Sequence, residues 1–307
     1  MGEKRTEAVH KDAEGLDRQA PETALRLLAD AQVEAAKSVH EAIDAIAEAA
    51  RIAADCLAHG GRIVYAAAGS SGLMALADAL ELPGTFGISR DRIIVLLAGG
   101  MQALHHLAGG PEDDAAQAAR EVAAQKLSAN DCLIALSASG STPYAVGALE
   151  EARRHGAATI AIANNAGSPL LQLAGTAILL ATPPELIAGS TRMGAGTAQK
   201  IALNMLSTLM AIHLGHVHDG YMVNLQADNA KLRDRAGRIV AAVAGCSPAE
   251  AASALEQSDG AVKPAILIAA GAANADAARK LLEDAGQKLR PALSRIGASA
   301  GSRQNRA

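Results

Sequence analysis

The chain has 307 residues, enough for one substantial core and a small appended domain. Half of its residues are apolar, yet it holds one Phe, three Tyr and no Trp, so the core is to be built from Ala, Leu, Ile and Val. A net charge of −4 leaves no basic footprint, and with so few rings for base stacking the composition argues against nucleic acid as a partner.

Residues 1–23 read as a polar, charged N-terminal segment without the apolar stretch of a secretory signal. Cys56, Cys132 and Cys246 are odd in number and far apart, and read as small hydrophobes in a reduced compartment. A cytoplasmic protein is expected. Residues 24–59 keep helical periodicity without Gly or Pro and predict one or two helices leading into a first strand. Five short apolar runs follow, at residues 63–66, 93–97, 133–136, 159–163 and 177–181, with helical patterns between them at 73–81, 113–128 and 144–155. This alternation predicts an α/β fold, a doubly wound five-stranded parallel sheet with flanking helices and right-handed crossovers, which binds ligands at the carboxyl ends of its strands. Residues 195–214 form the longest apolar helix pattern, but Gln199, Lys200, Asn204, Ser207 and Thr208 interrupt it. That suits a core or interface helix and not a membrane span. Beyond Gly245, Ser247-Pro248-Ala249-Glu250 reads as a capping box opening a helix to about Gln257. Residues 263–270 and 274–290 complete a small three-helix unit. The expected organisation is an N-terminal segment (1–23), a ligand-binding catalytic domain with long helices (24–245), a C-terminal helical domain (246–293) and a flexible tail (294–307).

Two strand-to-helix turns carry the chemistry. Gly69-Ser70-Ser71-Gly72 follows the first strand, and Ser137-Ala138-Ser139-Gly140-Ser141-Thr142-Pro143 follows the third. Each sets backbone N–H groups and hydroxyls at a helix N-terminus, where an anion is favoured. A tight connection alone would use the same residue types, but two such turns in one domain point to a phosphorylated small molecule. The candidate ligands of that anion are Gly69, Ser70, Ser71, Ser137, Ser139, Ser141 and Thr142. A nicotinamide dinucleotide is disfavoured, because the spacing is not Gly-x-Gly-x-x-Gly and the next strand ends in Leu97-Ala98-Gly99-Gly100, without an acidic residue for a ribose. Glu81 has apolar neighbours in sequence, which would raise its pKa and suit it to proton donation. Glu112 follows Gly-Gly-Pro and reads equally as a helix-start carboxylate complementing the dipole. On local pattern alone both are surface helix-end residues. His213, His216, His218 and Asp219 fit no zinc spacing, so no metal is expected.

Taken together, these residues resemble the sugar isomerase (SIS) domain and, more narrowly, the N-acetylmuramic acid 6-phosphate etherase family. The resemblance spans residues 24–293. It is carried by Gly69-Ser70-Ser71-Gly72, by Asp78-Ala79-Leu80-Glu81-Leu82-Pro83, by Ala98-Gly99-Gly100 with Glu112-Asp113, and by Ser139-Gly140 with Thr142-Pro143-Tyr144. Further on lie Gly189-Ser190-Thr191-Arg192, Gly196-Thr197-Ala198-Gln199-Lys200, Asp228-Asn229-Ala230-Lys231-Leu232 and Val262-Lys263-Pro264. The resemblance implies the SIS fold, a phosphorylated amino sugar as ligand, and a homodimer with the active site near the subunit boundary. It further implies a lyase that splits a lactyl ether, with Glu81 as acid and base at the C3 oxygen and Glu112 taking the proton from C2. Ser190, Thr191, Arg192 and Lys200 join the substrate-binding set on the same ground, and the implied chemistry calls for no metal or redox cofactor. The chain departs from the family pattern at Leu73 and Ser141, where Arg is usual, at Gly194 for Lys, at Leu80 for Ser, at Gly84 for Pro, and at Val9-His10-Lys11 for Arg-Asn-Pro. The residues leave open an aldose–ketose phosphosugar isomerase, which shares proton abstraction from C2, and a sugar-phosphate sensor without turnover. Retention of both glutamates favours catalysis.

Overall fold

The computed structural model describes residues 5–304. Five parallel strands, β1 (Ile63–Ala67), β2 (Ile93–Leu97), β3 (Cys132–Ser137), β4 (Ala158–Ala163) and β5 (Thr176–Leu179), form one sheet in the order β2-β1-β3-β4-β5. The expected strands lie within two residues of these bounds. Apolar runs without alternation suit strands covered on both faces, and β1 and β3 are buried along their whole length.

The helices preceding the sheet are α1 (Pro21–Lys37) and α2 (Ile43–Ala58), separated by a 3-10 turn at Ser38–Ala42. Pro21 opens α1 at its first turn, where a missing N–H costs nothing. Within and after the sheet come α3 (Gly69–Phe86), α4 (Ala115–Ala124), α5 (Pro143–Arg154), α6 (Pro169–Leu173) and α7 (Gly194–His213). One face of the sheet, presenting Val64, Ala66, Leu96, Leu133, Ala135 and Ala161, packs with Ala118 and Val122 of α4, Tyr144, Ala148 and Leu149 of α5, and Leu170 of α6. Side chains of the other parity, Ile63, Tyr65, Ile134, Leu136 and Ile160, are buried on the opposite face. There α2 crosses β1, β3 and β5, presenting the buried alanines 49, 50, 53 and 54. Alanine at these contacts lets helices approach the sheet closely, which is why a core with one Phe can close.

The chain divides into two compact units, one running to Ala79 and through Asp91–Leu209, the other made of Leu80–Arg90 and the chain from Met210. The second unit holds a short antiparallel pair, β6 (Val217–His218) and β7 (Tyr221–Met222), and five helices. These are α8 (Ala230–Ala244), α9 (Pro248–Gln257), α10 (Val262–Ala269), α11 (Ala275–Asp284) and α12 (Leu289–Gln304). The capping box of α9 forms as expected, with Ser247 and Glu250 bonded reciprocally. The expected boundary at residue 246 differs from this division. Ala236, Ile239 and Val240 of α8 share one core with Ala251 and Ala254 of α9 and Ile266 of α10, so the helical unit begins earlier. Residues 80–90 belong to it as well, and Asn224 donates to the Phe86 carbonyl at 3.0 Å. A single helix over 274–290 is replaced by α11 and α12, because Gly286 and Gln287 both adopt the left-handed conformation and close α11. In place of a flexible tail from residue 294, α12 continues to Gln304; residues 305–307, like residues 1–4 of the N-terminal segment, lie outside the described residues.

At the amino ends of β1 and β3, opposite the two hydroxyl turns, Arg62 and Asp131 form a two-point ion pair, with Nε to Oδ1 at 3.0 Å and Nη2 to Oδ2 at 3.0 Å. Ser128 N–H and the Arg62 N–H also donate to the carboxylate, at 2.8 Å each. Burial works to raise the Asp131 pKa, but the bonds from Arg62 and Ser128 prevail and hold it at about 2. A carboxylate depressed in the fold adds stability that is full above pH 4 and is lost as the pH falls through 2. The contribution is about 2 kcal/mol. Asp131→Asn is expected to be about 2 kcal/mol less stable at pH 7 in urea titrations and to lack this part of the acid sensitivity. A variant as stable as the parent at pH 7 would contradict the assignment.

Candidate active site

Strand order decides where the two turns meet. β1 and β3 are neighbours in register, Ala67 opposite Leu136, and β2 flanks β1 on its other side, Ala67 opposite Leu97. The turns after β1 and β3, and the segment after β2 that carries Glu112, therefore open on the same carboxyl edge. α5 packs on the Val64 face. α3 lies on the Tyr65 face, where the Tyr65 hydroxyl donates to Asp78 at 2.9 Å. Connections leaving adjacent strands for opposite faces create the crevice in which such sheets bind ligands.

In the turn after β3 four hydroxyls converge. Ser137 Oγ shares hydrogen bonds with Thr142 Oγ1 at 2.7 Å and Ser139 Oγ at 3.2 Å, and the Ser141 hydroxyl donates to Ser139 Oγ at 3.2 Å. Thr142 stands at the N-cap of α5 but makes no side-chain capping bond there, so its hydroxyl serves the cluster. Gly140 has φ +66°, and a β-carbon on it would lie 2.1 Å from Ser168 Oγ, so only glycine fits the apex.

The turn after β1 is tighter than the sequence suggested. α3 begins at Gly69 itself, and Ser70 and Ser71 belong to its first turn. Gly69 has φ +53°, and a β-carbon there would lie 2.8 Å from Glu112 Oε1. Glu112 reaches this point from a 3-10 turn at Gly110–Asp113. Burial, with the neighbouring Asp113 charge second, raises its pKa above the ordinary glutamate value. Glu81 is solvent-facing, as its local pattern suggested, but it does not stand at a helix end. α3 continues past it through Pro83 to Phe86. Glu81 is exposed while Leu82 and Pro83 take the buried positions, so its apolar neighbours in sequence do not enclose it. Leu80 beside it is 70% exposed.

A family profile described as SIS domain matches residues 28–164. An N-acetylmuramic acid 6-phosphate etherase of Deinococcus radiodurans is 43% identical over 290 residues, covering 94% of this chain and 95% of that protein. A protein of the same name from Yersinia pestis is 47% identical over 251 residues, 82% of this chain and 85% of that protein. The chain belongs to the N-acetylmuramic acid 6-phosphate etherase family. A solved phosphoheptose isomerase from Francisella tularensis is 23% identical, with a TM-score of 0.48 over 64% of this chain and 98% of that one.

Other candidates of this etherase-family chain are more dispersed. Ser190, Thr191 and Arg192 lie in the loop before α7, with Arg192 exposed. At the start of α7 the Gly194 and Ala195 N–H groups both donate to the buried Glu185 carboxylate at 2.8 Å. That helix N-terminus already holds an anion of the protein itself. Lys200 donates to Asn204 at 2.9 Å, and its charge acts on Asp78. Sequence reasoning passed over Asp78 and Asn165. Asp78 is a buried carboxyl that accepts from the Tyr65 and Ser207 hydroxyls; burial raises its pKa against the opposing pull of those bonds and of Lys200. Its signal was its place in the run Asp78 to Pro83. Asn165 Nδ2 donates to the Ala138 and Ser139 carbonyls at 3.3 Å each, holding the second turn from behind. Its position just after β4, at a strand's carboxyl end, could have marked it. Among the described residues no three His, Cys, Asp or Glu side chains are grouped to hold a metal ion, and His213, His216, His218 and Asp219 form no such group.

Proposed function

We propose that this chain is a carbon–oxygen lyase that cleaves the lactyl ether of N-acetylmuramic acid 6-phosphate, giving N-acetylglucosamine 6-phosphate and D-lactate in peptidoglycan recycling. Relatives carrying that name match nearly the full chain. The observation that carries the reading is the Glu112 carboxylate against Gly69, one strand away from the hydroxyl cluster of the second turn.

That arrangement also divides the ligand. A carboxylate beside Gly69 repels a phosphate dianion from the first turn. The phosphate is therefore assigned to Ser137, Ser139, Ser141, Thr142 and the N-terminus of α5, and the C1–C2 end of the sugar to Gly69, Ser70, Ser71 and Glu112. Ser190, Thr191, Arg192 and Lys200 complete the proposed contacts, on family resemblance. In the open-chain sugar the C1 aldehyde acidifies the C2 hydrogen. Glu112 accepts that proton, the C3–O bond breaks, and Glu81 protonates the departing lactate oxygen. Water then adds to C3 of the unsaturated aldehyde, and C2 regains its proton. A cytoplasmic location accords with cysteines that are all free and with a phosphorylated substrate. Among the described residues no helix is long and apolar enough to cross a membrane.

Ser139→Ala is expected to weaken binding of N-acetylglucosamine 6-phosphate by about 1–3 kcal/mol, and Ser71→Ala by less, in calorimetry. Equal affinity in the parent and Ser139→Ala would remove the phosphate seat.

Glu81→Gln should still exchange the C2 hydrogen with solvent deuterium while releasing little lactate. Glu112→Gln should lose both, since a missing general base costs about 10²–10⁴-fold. In the parent, the acid limb of kcat/KM should lie above the ordinary glutamate range, as burial of Glu112 requires. Equal exchange in the two variants would reverse or abolish these roles.

Assembly as a homodimer is inferred from exposed apolar side chains, Leu25 and Val33 on α1 and Met101, Leu104 and Leu107 on the segment leading to Glu112. Light scattering should give a dimer. A fully active monomer at micromolar concentration would sink this part of the reading.

A further inference from the structure

Thr6 is 3% exposed in a 3-10 turn whose neighbours, Arg5 and Glu7, are exposed. The buried contact is polar. Its N–H donates to Asn165 Oδ1 at 3.3 Å, its hydroxyl oxygen accepts from Asn165 Nδ2 at 2.9 Å, and its carbonyl accepts from Gly189 N–H at 3.1 Å. Backbone donor, side-chain acceptor and backbone acceptor are thus all used, across 159 residues of chain to Asn165. The same Asn165 amide nitrogen donates to the carbonyls of Ala138 and Ser139. One residue of the N-terminal segment therefore ties together the turn that carries Ser139 and Thr142 and the loop that carries Ser190, Thr191 and Arg192.

Thr6 is not among the residues through which the etherase reading contacts the sugar. An apolar anchor would hold the segment down without fixing the orientation of polar loops; a hydrogen-bonded one fixes both loops in direction as well as place. The carbonyls of Ala138 and Ser139 point at Asn165, which sets two peptide planes of the turn and with them the direction of the Ser139 and Gly140 N–H groups. The Gly140 N–H donates to Ser137 Oγ at 3.0 Å, and Ser137 Oγ in turn bonds Thr142 and Ser139. Rotation of the Asn165 amide would therefore disturb the hydroxyl cluster at one remove.

We propose that Thr6 is a positioning residue that buckles the N-terminal segment across the phosphosugar site and sets affinity for the phosphorylated ligand. The inference rests on the assignment of these two segments to substrate binding. Thr6→Val keeps the shape and removes the acceptor; Thr6→Ser keeps the acceptor. In the full-length protein Thr6→Val should raise KM, and the dissociation constant of N-acetylglucosamine 6-phosphate, by about fivefold to thirtyfold with kcat little changed. Thr6→Ser should restore both, and hydrogen exchange should quicken at residues 138–142 and 189–192 in Thr6→Val alone. Thr6→Ala, which removes the same acceptor without adding a methyl group, serves if Thr6→Val fails to fold. Unchanged ligand affinity in Thr6→Val, or equal losses in the Val and Ser variants, would overturn the proposal. Ser139→Ala measured in parallel separates the two readings. If it weakens binding and Thr6→Val does not, the buckle alone fails; if Ser139→Ala leaves affinity intact, the phosphate assignment fails, and the proposal with it.

Discussion

The pairing of β1 with β3 is the constraint on which the rest of the α/β unit depends. Parallel strands need long connections, and right-handed crossovers fix the face to which each connection passes. In the order β2-β1-β3-β4-β5 the chain leaves β1 for α3 on the Tyr65 face and leaves β3 for α5 on the Val64 face. The two hydroxyl turns are thereby adjacent at their strand ends and divergent beyond them. A one-residue slip in β1 would turn Val64 and Ala66 toward the wrong face and carry Gly69 away from Glu112. Sheet register and the geometry of the candidate site are thus one requirement.

Electrostatics refine what topology arranges. The first turn has a carboxylate beside it, and α7 opens on another, Glu185, whereas α5 opens on neutral hydroxyls. Glu112 lies against the start of α3 and Glu185 is bonded at the start of α7, whereas hydroxyls gather at the start of α5, and the proposed phosphate assignment is argued from that difference. The Arg positions of the family pattern that are Leu73 and Ser141 here would have placed cations near both turns. On the proposed reading this chain relies on hydroxyls and backbone N–H groups of α5, whose partial charge is modest but directed.

Much of this architecture was legible along the chain because its signals are local. Strands announced themselves as apolar runs of four or five residues between helical patterns, and Ser247 with Glu250 announced the start of α9. What escaped depends on partners far away in sequence or on backbone dihedral angles. Gly286 was visible, but its left-handed pairing with Gln287, which splits the last helical pattern in two, was not. Glu112 read as an ordinary helix-start carboxylate, since its meeting with Gly69 is produced by the pairing of β2 with β1. Glu81 is solvent-facing, as its local pattern suggested: apolar sequence neighbours on a helix point around the whole circumference and need not surround a side chain. Thr6 carried no signal at all, because Asn165, which explains its burial, lies across the fold.

Asp78 illustrates why polar groups recur at the places that orient this chain. Burying a carboxyl in a core of Ala, Leu and Ile is unfavourable, and the raised pKa records that desolvation. Apolar side chains of similar size would pack there at lower cost, but they would accept several rotations of α3 about its axis. With Tyr65 of β1 donating to one oxygen and Ser207 of α7 to the other, one rotation satisfies both bonds. Asp78 stands nine residues after Gly69, so the rotation it selects bears on how the first turn faces Glu112. Small-residue packing brings the elements of this core together closely and without strong preference for angle; the buried Asp78, Asn165 and Glu185 networks supply the direction that the alanines lack.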